Sequence, residues 1–283
     1  MSSVPLDPQW FPDEDFRFRL GTVPGDAEDF FARSNQATQV LAERTHWLRS
    51  APEDYVALLP GGVPIVEEFL EAVAAWPALQ DAPPELWTHQ TEPLERLLLL
   101  GTLLEPDFVL LVPSPDLLFH VVGGCVCFPS SWRLTDKLGQ SVADVHQPVP
   151  QLNAVLGSQI DRLLSRLKPG RCIVRANWSV CRQPELNQHL DRHLPPLCSP
   201  VSLDDAWLRR EDQCLLALPR TQGVIFGIRV SHTSWRELRQ SPVAARSVAR
   251  TLRTMPDDML EYKRLKHVAE ELARLLDDAE PPE

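Results

Sequence analysis

Residues 107–128 read DFVLLVPSPDLLFHVVGGCVCF. Two apolar runs, Asp107 to Val112 and Leu117 to Phe128, flank Pro113-Ser114-Pro115-Asp116, a turn-forming cluster. A strand, turn and strand of this kind predict an antiparallel hairpin. Three further runs extend the pattern: Arg171 to Val180, Ala206 to Leu218 and Gly223 to Ser231. In the first, Ile173, Arg175 and Asn177 alternate with Val174, Ala176 and Trp178; in the second, Arg209, Glu211 and Gln213 alternate with Arg210, Asp212 and Cys214. Side chains two apart share a sheet face, so each run offers two distinct faces. The third places Arg229 among apolar neighbours.

Around these strands the apolar spacing becomes helical. Ile65, Val66, Phe69, Leu70 and Val73 recur at helix period, with Glu67, Glu68 and Glu71 on the other side. Leu152, Val155, Leu156, Ile160, Leu163, Leu164 and Leu167 form a stripe that Lys168-Pro169-Gly170 ends. Helices are also expected over Ala27 to Arg49, Pro93 to Leu100, Pro242 to Arg253 and Asp257 to Leu276. Strands adjacent in sequence, preceded and followed by helices, predict an α+β fold: an antiparallel sheet with surrounding helices and an N-terminal helical region. Residues 1–24, with four prolines and little periodicity, read as an extended arm. Residues 25–276 then form a single domain, and 277–283 an acidic tail.

Composition narrows the function. The 283 residues hold 27 prolines against 12 glycines, yet hydrophobic residues at 43% and charged residues at 24% are those of a folded chain. A net charge of −11 repels phosphate backbones and anionic membranes, which argues against nucleic acid and membrane partners. The start lacks a basic, apolar leader, so a cytoplasmic location is expected, with the six cysteines reduced. GxGxxG, GxxxxGK[ST], GxSxG and HExxH are all absent from the sequence. Cys125 and Cys127 read as buried structural residues, and His189 and His193, in a proline-rich connection, as a solvated surface pair.

One continuous stretch stands apart: Cys127-Phe128-Pro129-Ser130-Ser131-Trp132, then Asp136-Lys137-Leu138-Gly139, then Asp144-Val145-His146-Gln147-Pro148-Val149-Pro150. Pro148 and Pro150 fix the backbone directly after His146, so the imidazole is held on a rigid turn, as an iron ligand needs.

This stretch resembles the signature of the alpha-subunit family of heme-dependent oxidative N-demethylases. The resemblance continues through Arg175-Ala176-Asn177-Trp178, Leu208 to Leu215, Leu218 to Phe226 and Tyr262-Lys263, and spans about residues 16 to 276. It implies a PAS-like antiparallel sheet that binds heme b. It also implies an O2-dependent oxidation of a small amine, with electrons from external reductase subunits of flavin and 2Fe–2S type. His146 is then the expected axial ligand, with His120 as runner-up, since a neutral imidazole is a common heme ligand. Arg133, Lys137 and Arg175 become candidates for the propionates, and Glu211 and Trp178 for a cationic amine. Asp212 stands where the family has arginine, and Cys214 where it has threonine. If that arginine holds a propionate or a partner, the change bears on heme affinity or substrate identity; the alternative function is a noncatalytic heme-binding or sensor protein.

Overall fold

The computed structural model describes residues 10–277, so residues 1–9 of the expected arm and 278–283 of the expected tail lie outside the described residues. In chain order the elements are β1 (Val23–Gly25), α1 (Ala27–Phe31), α2 (Ala37–Ser50), α3 (Pro52–Tyr55), β2 (Val56–Leu58), α4 (Val63–Val73), α5 (Pro93–Leu103), β3 (Asp107–Pro113) and β4 (Phe119–Cys125). There follow α6 (Val142–His146), α7 (Leu152–Arg166), β5 (Cys172–Cys181), β6 (Trp207–Ala217), β7 (Val224–Ser234), α8 (Trp235–Arg239), α9 (Pro242–Thr254), α10 (Asp257–Tyr262) and α11 (Ala269–Asp277). The fold is α+β, built on one seven-stranded sheet in the order β1-β5-β6-β7-β3-β4-β2, with each neighbouring pair antiparallel.

The expected hairpin is β3 and β4, and the three later runs are β5, β6 and β7. Gly123 and Gly124 let β4 sit between its neighbours: a Cβ on Gly123 would lie 2.7 Å from the Ala57 carbonyl oxygen, and one on Gly124 would fall on that of Phe108. Gly124 also has a φ of +153°, outside the comfortable range of other residues.

Two expected helices are each divided in the structure. Ala27 to Arg49 breaks between α1 and α2, because the Ser34 hydroxyl accepts from the Gln36 amide (3.0 Å) while the Ser34 amide donates to Glu105 (2.8 Å). Local side-chain bonds of this kind compete with the helix ladder. Asp257 to Leu276 breaks between α10 and α11, where Arg264 takes a left-handed φ of +57°.

Period two gives the sheet two unlike faces. Phe108, Leu110, Val122, Cys214, Leu216 and Ile225 pack against Phe31, Ile65, Phe69, Leu97 and Leu100 of α1, α4 and α5. Within this core Arg44 of α2, fully buried, meets Asp107 at 2.5 Å and donates to the Gly101 carbonyl at 2.9 Å. The alternate residues Val109, Leu111, Val121, Leu215 and Val224 turn the other way, with Leu164 of α7 in the same cluster. A third cluster joins α8, α9, α10 and α11 around Trp235, whose indole donates to the Leu272 carbonyl (3.1 Å).

Candidate functional site

The second sheet face does not close. It borders a cavity of about 660 Å³, walled by Val109, Leu111 and Val121 of the hairpin, by Leu156, Ile160 and Leu164 of α7, and by Met255 and Met259 at the C-terminal helices. Residues 10–12 and 15–21 complete the wall. This segment is fastened to α9: Ser247 donates to the Pro12 carbonyl (2.8 Å), the Phe16 amide to Thr254 (2.8 Å) and Arg250 to Asp15 (2.9 Å). The volume and the apolar lining are those of a site for a sizeable organic ligand.

His146 lines this cavity at the end of α6. Ser141 starts that single turn through a reciprocal capping box with Asp144, and the Val149 amide closes it on the His146 carbonyl (2.9 Å). Asn153 of α7 donates to the Ala143 carbonyl (2.8 Å), so the two helices hold each other. The imidazole itself is half-buried, and its Nδ1 is buried with no hydrogen-bond partner among the described residues. Burial pushes its pKa down, and the positive charges of Arg175 and Lys137 push it further. The ring is therefore neutral near pH 7, the form that ligates metal.

Arg175 and Lys137 share the wall. Neither makes an ion pair among the described residues, and the Nε of Arg175 is buried without a partner. Burial lowers the Arg175 pKa, with Glu211 acting against it. A buried guanidinium nitrogen without an acceptor is costly, and an anionic group at this wall would answer it.

Glu211 faces the same cavity from β6, cross-strand from Asn177. Its Oε1 accepts from Ser130 (2.6 Å) and its Oε2 from Gln213 (3.0 Å). Behind Ser130 stands Arg209, fully buried, which donates to the Ser130 hydroxyl (2.8 Å), the Phe128 carbonyl (2.7 Å) and the Glu185 carbonyl (3.1 Å). From the other side Asp107 accepts the amides of Cys127 (2.7 Å) and Phe128 (2.9 Å). The Cys127 to Ser130 turn is thus clamped between Asp107, itself held by Arg44, and Arg209. Trp178 borders the cavity, and its carbonyl accepts from the Lys263 ammonium at 3.1 Å.

Of the residues expected from sequence, His146, Lys137, Arg175, Glu211 and Trp178 meet on this one wall. Arg133 and His120 are not in the lining. Arg133 pairs at the surface with Asp191 and Asp136, and the His120 ring lies 3.1 Å from the Gly139 carbonyl. His189 is not the solvated residue expected: it is buried, with its ring against Tyr55 and its amide donating to Asn187. Cys125 and Cys127 are buried, as expected. Asp212 points away from the cavity face and pairs with Arg210 at 2.7 Å. Among the described residues no group of three or more His, Cys, Asp or Glu is placed to hold a metal ion, and no helix is long and apolar enough to cross a membrane.

Sequence reading missed Arg209, Ser130, Gln213 and Lys263 as parts of this wall and its support. The alternation in β6 held the signal for two of them, since Arg209, Glu211 and Gln213 are two apart.

The family model described as "Haem-dependent oxidative N-demethylase, alpha subunit-like" matches residues 24–273, and the chain belongs to this family.

Proposed function

We propose that this member of the family oxidises a small amine with heme b, which the cavity would hold through His146 as the iron ligand and through Arg175 and Lys137 as partners for its propionates. The family description supports a heme-dependent N-demethylase-like activity, and its alpha-subunit label implies partner subunits. The observation that carries the reading is the buried, unpartnered Nδ1 of His146 beside the unpaired Arg175 on the wall of a cavity of about 660 Å³. A neutral imidazole, two cations and an apolar wall fit the donor, carboxylate and macrocycle chemistry of heme. The sheet and its helices are read as a PAS-like domain over residues 25–276, with residues 1–24 as an arm and 277–283 as a tail.

When bound, heme supplies the activation of O2. The chain's own residues do the rest. Glu211, held by Ser130 and Gln213, receives the N–H of a cationic amine, and Trp178 supplies an aromatic wall for its methyl groups. Arg209 is a positioning residue: it fixes Ser130 and through it the carboxylate. The segment of residues 10–21 and helix α7 keep bulk water off the face. Overall an N–CH3 group, O2, two electrons and two protons give N–H, formaldehyde and water. The electrons come from external flavin and 2Fe–2S reductase subunits. Six free cysteines support a reducing, cytoplasmic setting.

Chain purified from heme-replete cells is expected to show a Soret band that His146→Ala abolishes or shifts. With a competent reductase and an N-methyl amine it is expected to release formaldehyde and consume O2. No Soret band, or one unchanged by His146→Ala, would overturn the assignment. Asp212 lies off the cavity face, so restoring arginine there is expected to leave the band unchanged.

A further inference from the structure

The cavity wall carries more positive charge than its own acids neutralise. Of the lining carboxylates, Asp107 is paired with Arg44 and Asp15 with Arg250, which leaves Glu211. Of the lining cations, Arg17 and Arg19 pair with Glu14, which leaves Lys137, Arg175 and Lys263. None of these three has an ion pair among the described residues.

On the heme reading, two propionates answer two of them. Lys137 and Arg175 are the pair whose charges bear on His146, so they are the natural partners. Lys263 is left over. The residue is half-buried, and its ammonium makes one hydrogen bond, to the Trp178 carbonyl at 3.1 Å. Burial pushes the Lys263 pKa down and the charge of Glu211 acts against it, yet the two form no ion pair, and Glu211 accepts from the neutral Ser130 and Gln213. The wall therefore presents a cation and an anion to the same space, each with capacity for a further partner.

A plain amine answers only half of this. Its ammonium would meet Glu211 against the repulsion of Lys263 and Arg175, and Lys263 would stay uncompensated. A ligand with both charges answers all of it. We propose that the substrate is a zwitterion, an N-methylated amino acid whose ammonium meets Glu211 and whose carboxylate meets Lys263. This rests on the heme reading, which assigns the other two cations.

The test compares N-methylglycine with N-methylethylamine, the same secondary ammonium with a methyl in place of the carboxylate. Binding to the heme-loaded full chain is read by calorimetry and by perturbation of the Soret band. N-methylglycine is expected to bind at least about tenfold tighter at pH 7. Lys263→Met is expected to erase that preference by weakening N-methylglycine, while N-methylethylamine binds as before or tighter because a repelling charge is gone; Lys263→Arg is expected to keep it. Equal or tighter binding of N-methylethylamine, an equal loss of both ligands in Lys263→Met, or binding of neither ligand would overturn the proposal. A Soret band that depends on His146 in the same samples shows that the heme reading stands even then; its absence shows that the heme reading itself has failed.

Discussion

On the sheet face that meets α2, α4 and α5, the buried Arg44 is answered by Asp107, and apolar side chains fill the remaining space. On the opposite face of the same strands, Arg175 has no ionic partner among the described residues, and a cavity stands where a core would be. Neighbouring residues of one strand, such as Leu110 and Leu111, thus serve opposite ends. The difference teaches where the fold is held together by packing and where it leaves space unfilled.

The sharpest way to break the comparison is to remove one arginine from each face. Arg44→Met is expected to cost about 3–5 kcal/mol, because Asp107 is left buried without its counter-ion. Arg175→Met is expected to leave the urea midpoint of the heme-free chain unchanged or raised. A loss as large as that of Arg44→Met would show that Arg175 is already satisfied. Next in size are two truncations in β3. Leu110→Ala opens a hole in the closed core and is expected to cost about 2–5 kcal/mol. Leu111→Ala only enlarges a space that exists, and equilibrium unfolding should show a loss below about 2 kcal/mol.

Acid provides a third contrast. His232 lies cross-strand from Arg209, and burial together with that guanidinium pushes its pKa down to about 3. Between an ordinary value near 6.5 and about 3, the unfolded chain takes up the proton and the folded chain does not. Stability is therefore full above about pH 6.5 and falls as pH drops, by about 2 kcal/mol at pH 5 from this group. His146, also depressed, adds in the same direction. His232→Gln is expected to flatten most of this slope in urea titrations at pH 7 and 5; an unchanged slope would place the acid sensitivity elsewhere. The smallest effect concerns the segment over the cavity. Thr254→Ala removes the acceptor of the Phe16 amide and is expected to cost under about 1 kcal/mol, while amide exchange at residues 16–18 rises several-fold.

Much of this architecture is legible in the sequence because it depends on period. The stripe of α7 and the alternation of β5 to β7 follow from apolar spacing alone, and the turn at Pro113 to Asp116 follows from local chemistry. Features that depend on what lies far along the chain are not legible. Arg209 is only one member of an alternating run until the Phe128 and Glu185 carbonyls are brought to it. His189 reads as solvated until Tyr55 covers it. Lys263 becomes part of the wall only because the chain turns at Arg264, where no glycine announces the left-handed residue. The prolines behind His146 are plain in the sequence, but the capping box that sets its helix turn needed the structure.

The short outer strands carry a consequence for assembly. The sheet ends in β1 and β2, each three residues long, and β1 contains Pro24, which has no N–H to offer a further strand. The missing donor weakens strand addition on β1 itself, which covers only Cys172 to Val174 of the longer β5. A partner chain is therefore not expected to add its own strand beside β1.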